Sequence, residues 1–204
     1  MRRAAVATVA LALSAHVARA DETDGAYGRL DGDLLLQGSA GVALALGGPH
    51  IAVDVRALYL STAGIYARYT DACGQRNAAF ERDVATGVEV RPLFLGRWAQ
   101  DKEKGPPRFD LLLDSLSFQF GAAWQQKQGL AFVALPAFEI GIGFEFPLLA
   151  RASGPHIGME GVARVDALNT SVHHDILDQG SMFLFTVSWH QMVKVGLSDF
   201  KDRR

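Results

Sequence analysis

The sequence predicts an all-β protein: an eight-stranded, antiparallel, up-and-down transmembrane β-barrel with a polar, plugged lumen. Three observations lead there. First, Phe138 to Phe146 sets Phe138, Ile140, Ile142, Phe144 and Phe146 against Glu139, Gly141, Gly143 and Glu145. Strand side chains alternate faces, so this stretch has one greasy face and one that is polar or empty. Second, the same alternation recurs in seven other segments, several with ionised groups on the minor face. Third, 21 glycines and many short alternating runs break up a chain that is nearly half apolar.

The chain opens with Met1-Arg2-Arg3, an apolar run from Ala4 to Ala15, and Ala18-Arg19-Ala20. That is the form of a secretory signal peptide over 1–20, cleaved before Asp21. The apolar run is shorter than the roughly 20 residues a spanning helix needs. Removing the leader takes three arginines from the 20 Lys+Arg and leaves 17 against 22 Asp+Glu, a balance of −5. Such mild acidity argues against a nucleic-acid partner. The single cysteine, Cys73, excludes an intrachain disulfide. One domain is expected: a lead-in over 21–33, a barrel over 34–190 and a tail over 191–204.

The first strand runs from Leu34 to Leu46, with its even positions apolar, and Gly47-Gly48-Pro49 ends it. The second covers His50 to Leu60, with Ile51, Val53, Val55, Ala57 and Tyr59 opposite Asp54 and Arg56. After a turn at Ser61–Gly64, the third places Ile65, Ala67 and Tyr69 against Tyr66, Arg68 and Thr70. A polar loop spans Asp71 to Asp83. The fourth strand carries Val84, Thr86, Val88, Val90, Pro92 and Phe94 on one face, with Glu89 and Arg91 on the other. Proline cannot donate to a ladder, so a bulge is expected at Pro92.

Ala99 to Arg108 is a hydrophilic connection with a Pro-Pro pair. The fifth strand lies within Leu111 to Trp124, which leaves Asp114 on the greasy side at a cost of about 2 kcal/mol or more in mid-bilayer. It therefore sits at the membrane margin, or the register slips before Ser115. The sixth strand is Phe138–Phe146, and Arg151 to Pro155 turns the chain. The seventh sets Ile157, Met159, Gly161, Ala163 and Val165 against Glu160 and Arg164. A polar loop spans Asp166 to Gly180. The eighth alternates Phe183, Phe185, Val187 and Trp189 with Leu184, Thr186, Ser188 and His190.

The minor faces together hold Asp54, Glu89, Glu139, Glu145 and Glu160 with Arg56, Arg68, Arg91 and Arg164. In a soluble protein's only core these nine groups would be hard to satisfy. In a small closed lumen they pair with each other, and eight strands leave room only for side chains. A plugged lumen follows, not a wide pore. Apolar faces of about 9–11 residues match membrane-crossing strands. Aromatics toward strand ends (Tyr59, Tyr69, Trp98, Trp124, Phe146, Trp189) match an interfacial girdle. A soluble periplasmic barrel carrying a small apolar ligand fits the same alternation, with the faces exchanged.

Over roughly Leu34 to His190 this pattern resembles the small eight-stranded outer-membrane barrels of Gram-negative bacteria, the OmpA- and OmpX-like group. The resemblance is architectural. It implies a cell outer-membrane location, an N-terminus on the periplasmic side, and contact with outer-membrane lipid and the insertion machinery. It also implies external loops at 71–83 and 166–180 that could meet an extracellular ligand. The group usually ends on an aromatic residue that closes the last strand; here Gln191 to Arg204 follows, with Phe200 four residues from the end.

Chemistry beyond structure has weak signals. Ser188 and His190 share a face with acids opposite, the elements of an acyl hydrolase. Some barrels similar to this one modify lipid A acyl chains, but their motif is His-x-Ser where this chain has Ser-x-His. An enzyme is the lesser expectation. His173-His174-Asp175 lacks a third ligand at a set spacing, so no metal is expected. No phosphate loop, dinucleotide fingerprint or CxxC is present, so no cofactor is expected.

Overall fold

The computed structural model describes residues 27–75, 78–100, 102, 104–127, 129–166 and 180–196. The leader, the His173-His174-Asp175 segment and the tail with Phe200 lie outside the described residues. Eight strands form one closed antiparallel barrel: β1 (Leu34–Ala45), β2 (Gly48–Tyr59), β3 (Ala63–Asp71), β4 (Arg82–Val90), β5 (Ser117–Gln126), β6 (Ala137–Pro147), β7 (Gly154–Asp166) and β8 (Met182–Val193). Each strand pairs with its sequence neighbours, and β8 closes on β1 from Leu34↔Val193 to Ala45↔Met182. Closure leaves no free edge.

The start of β1 and the finish of β8 define a proximal end, together with the connections 60–62, 91–116 and 148–153. The distal end carries the connections 46–47, 72–81 and 127–136, and there β7 ends and β8 begins. Strand register then fixes which side chains point out. Among the described residues, outward positions carry no Asp, Glu, Lys, Arg or His except Asp71 and Arg82, which pair at the distal rim (3.3 Å). Apart from Gln126 and Gln191 near strand ends, the outward faces are otherwise aliphatic, aromatic or small, and well presented: Ile65 is 64% exposed, Phe183 65% and Val187 62%. A continuous belt of this kind is far beyond the apolar patch a soluble monomer carries. Tyr59, Phe146 and Trp189 lie at its proximal margin, Tyr69 and Trp124 at its distal one.

Several boundaries differ from the sequence expectation. β4 stops at Val90, and Leu93–Ala99 forms a helix, α1, so Pro92 caps a helix instead of bulging a strand. Phe94 and Trp98 therefore belong to α1. A second helix, α2 (Pro107–Asp114), replaces the expected start of β5, with Pro107 at a position where its missing N–H costs nothing. Gly48 and Pro49 open β2 instead of ending β1, and β8 runs on to Val193, three residues past the expected end of the barrel.

Two glycines make one inward contact possible. Gly87 pairs with Tyr66 on one side and with Gly121 on the other. With no side chain at either position, the Tyr66 ring crosses both and its hydroxyl donates to Glu139 (2.9 Å). A Cβ on Gly121 would lie 2.3 Å from that hydroxyl and 2.5 Å from the Thr86 carbonyl oxygen. Gly121→Ala is expected to cost about 1–3 kcal/mol by overpacking. Urea unfolding of the folded barrel in detergent micelles, followed by gel mobility, measures it; an unchanged midpoint contradicts the packing described.

Candidate functional site

The lumen is built from the inward positions of all eight strands. All nine charged residues anticipated there lie inside the wall and are buried. They form an alternating ladder. From the distal end, Asp83 accepts from Arg164 (2.7 Å), and Arg164 also donates to Glu139 (2.7 and 2.8 Å). Glu139 accepts from Arg68 (3.0 Å), which also pairs with Glu160. Glu160 meets Arg56 (2.8 Å), and Arg56 reaches Glu89 (3.0 Å) while Asp54 holds it bidentately (3.1 and 3.0 Å). Arg91 joins Glu89 (2.7 Å) to Glu145 (2.9 Å). Each lumen arginine thus meets at least two carboxylates, and Arg56 meets three.

Side-chain amides brace the ladder where it crosses strands. Gln119 donates to Glu89 (3.1 Å) and Glu160 (2.9 Å) and accepts from Arg68 (2.6 Å). Gln37 donates to Glu145 (2.7 Å) and accepts from Arg91 (3.0 Å). Asp83, Gln37, Gln119 and Tyr66 were not singled out from the sequence as members. Face parity could have found Asp83, because it lies on the same side of β4 as Glu89.

Both mouths are closed. Distally, Phe80 from the 72–81 connection packs with Ala43, Ala52, Val162, Met182 and Leu184. Its ring stacks on His50 (4.4 Å between centroids) and lies 5.8 Å from the Arg164 guanidinium. Proximally, Leu35, Leu58 and Met192 form an apolar layer, and α1 and α2 cover it. Phe94 of α1 is fully buried, with the Arg29 guanidinium 4.1 Å over its ring.

The cap carries its own ion pairs. Arg29 pairs with Asp114, and Arg97 pairs with Asp110 and with Asp114 (2.8 Å). The Tyr27 hydroxyl donates to Asp110 (2.9 Å). Asp114 is therefore not on a strand facing lipid; it is the buried last residue of α2. Burial works against the Arg97 charge, but its hydrogen bonds to Asp110 and Asp114 outweigh that and hold its pKa above the ordinary value. Below the cap is a cavity of about 30 Å³ bounded by Arg29, Arg91, Asp114, Ser115, His156 and His190.

Ser188, His190 and Glu145 meet at the proximal end of the ladder, but not as a hydrolytic triad. The Ser188 hydroxyl is 3.3 Å from His190 Nε2, and Glu145 is 3.2 Å from that same nitrogen. A triad needs the acid on one ring nitrogen and the serine on the other, so that the histidine can take the proton. Here the Ser188 hydroxyl donates directly to Glu145 (3.1 Å). All three are buried, and the His190 ring stacks on His156 (3.8 Å). The arrangement holds Glu145 in place; it does not activate a nucleophile. Among the described residues no group of three His, Cys, Asp or Glu could hold a metal ion.

No family model and no curated protein matches the sequence. Among solved structures, the chain is similar to Neisserial surface protein A (7% identity, TM-score 0.38). It is also similar to Ail, the attachment invasion locus protein of Yersinia pestis, solved with the heparin analogue sucrose octasulfate (9% identity, TM-score 0.29). Each match covers 78% of this chain and 96% of the other. The eight closed pairings establish the barrel independently of these likenesses.

Removing one charge from the ladder strands its partners. Glu139 serves two arginines and Asp83 one, so Glu139→Gln is expected to cost about 3–5 kcal/mol and Asp83→Asn less. Urea midpoints of the two variants provide the measure, and equal losses would contradict the ladder. Cutting the cap's acid is expected to act locally. Asp114→Asn should speed trypsin cleavage at Arg97 while the gel mobility of the folded barrel persists; unchanged cleavage contradicts the ion-paired cap.

Proposed function

We propose that this chain is a cell outer-membrane protein that crosses the bilayer as a barrel, does not conduct, and acts structurally or through its distal surface. The observation that carries the reading is the inversion of the wall. Ionised groups are sealed inside, and a belt free of charge between its rims faces out. Lipid tolerates such a belt, and it requires that every backbone group be paired within the wall, which closure achieves. A soluble carrier of a small apolar ligand would need the opposite arrangement, with an apolar interior.

In this setting the proximal end is periplasmic and the distal connections are external. The connections 72–81 and 167–181 correspond to the loops anticipated at 71–83 and 166–180 as sites for an extracellular ligand. The connection 127–136 joins them; Leu130, Phe132, Val133 and Leu135 stand exposed on it. That is an apolar, partner-seeking surface where a purely scaffolding barrel needs only polar residues. Outer-membrane lipid and the insertion machinery are the partners that membrane residence requires.

Two measurements test the reading. Fractionation should recover the chain in the outer membrane, with a heat-modifiable shift on gels. Trypsin added to intact cells should cut at Lys127, exposed on the distal side, and spare Arg108 on the proximal side. Extraction into buffer without detergent would overturn the membrane reading, and cleavage at Arg108 alone would reverse the orientation.

A further inference from the structure

The helical insert between β4 and β5 is inside out. α2 reads Pro107-Arg108-Phe109-Asp110-Leu111-Leu112-Leu113-Asp114, and it buries Asp110, Leu111 and Asp114. Its other side presents Phe109 (54% exposed) and Leu113 (36%). A helix resting on a soluble protein turns its apolar stripe inward and its charges out. Here both acids are turned in, where Arg29, Arg97 and Tyr27 receive them.

The exposed side of α2 is not isolated. The helix ends three residues before β5 and packs on β6, where the Ser115 hydroxyl donates to the Glu145 carbonyl oxygen (3.0 Å). The outward residues of those strands nearest this end are Phe118 and Phe120 on β5 and Phe144 and Phe146 on β6. Leu148 and Leu149, exposed on the next connection, extend the same surface, and Trp98 of α1 is exposed as well. Apolar side chains thus continue from the barrel belt onto the insert. In the same proximal connections Lys102, Lys104, Arg108 and Arg151 are exposed, and in the sequence Asp101 and Glu103 alternate with the two lysines. Among the described proximal residues the exposed acid is Asp31.

We propose that the outward side of α2 is a lipid-binding surface embedded at the headgroup–acyl boundary of the near leaflet. Phe109 and Leu113 lie among acyl chains, with Arg108 and Lys102 at the lipid phosphates. The inference rests on the membrane reading above and assigns a second, in-plane contact to it. Short helices with one apolar and one charged side lie in such boundaries, and nearby cations favour anionic lipid. A leaflet is the occupant that fits, because the surface is continuous with the belt already assigned to lipid.

The test uses the full chain, refolded in vesicles of phosphatidylcholine and phosphatidylglycerol with brominated acyl chains, which quench indole emission on contact. Two reporters are compared. One keeps Trp189 on the barrel belt and carries Trp98→Phe and Trp124→Phe. The other carries Phe109→Trp with all three native tryptophans changed to Phe. The expected result is that both lose most of their emission relative to unbrominated vesicles. If Trp189 is quenched while the indole introduced by Phe109→Trp keeps its emission, the insert faces water or a soluble partner and the proposal fails alone. If neither is quenched, the membrane reading fails and the proposal falls with it. A heat-modifiable gel shift verifies that each reporter is folded.

Discussion

The alternating ladder of carboxylates and guanidinium groups is the constraint on which the rest of this barrel depends. Moving an ion out of water costs several kcal/mol even after relaxation, and one opposite neighbour rarely recovers it all. Here each lumen arginine is shared by at least two acids, three in the case of Arg56, and the amides of Gln37 and Gln119 take further donors and acceptors. The ladder draws on every strand: Gln37 from β1, Arg56 from β2, Arg68 from β3, Glu89 from β4, Gln119 from β5, Glu139 from β6, Glu160 from β7 and Ser188 from β8. It therefore ties the cylinder across its interior as the backbone ties it around. A one-residue slip in β2, β3, β4, β6 or β7 would turn a charge outward and an apolar residue in, so the ladder also fixes register.

Sealing the mouths is what makes the ladder strong. Charges close to water are screened, whereas charges behind apolar layers interact through a lower effective dielectric. Phe80 with its aliphatic neighbours closes the distal end, and Leu35, Leu58 and Met192 with Phe94 close the proximal one. The cap repeats the lumen's solution on a smaller scale: Arg29 and Arg97 receive Asp110 and Asp114 below a helix whose other side is apolar. The same inversion therefore appears twice, in strands and in a helix. Such agreement between independent elements is what a single surrounding medium would impose.

Strand positions and face parity were legible because period-two alternation survives in every strand and, among the described side chains, every strand charge but the rim pair Asp71 and Arg82 falls on the same side. That is why the nine charged residues could be grouped before their partners were known. Which face points inward was not legible from alternation, since exchanging the faces leaves the sequence unchanged; the ladder's closed pairing resolves it. The helices were missed for a different reason. Leu93-Phe94-Leu95 continues the greasy run of β4, and helices of seven and eight residues are too short to display a 3.6-residue period. The usable signals were chemical: Pro107 at a helix start, and Asp110 and Asp114 four apart on one side. Asp114 looked misplaced only because it had been put on a strand.

The meeting of Ser188, His190 and Glu145 shows why proximity alone does not make a catalytic site. Parity put the serine and histidine on one face, and register brought a glutamate across to them. The geometry then decides the chemistry. Serine and acid converge on one nitrogen of His190, and the serine hydrogen bond goes to the carboxylate, so no proton path leads from serine to histidine to acid. The lumen also offers a lipid no route to that serine, because the wall is closed and both mouths are filled. Any recognition this barrel performs must therefore lie on its outside. The distal connections, the belt and the outward side of α2 are the surfaces left to do it, and the exposed Leu130, Phe132, Val133 and Leu135 give the distal side an apolar character that a lumen of paired charges cannot supply.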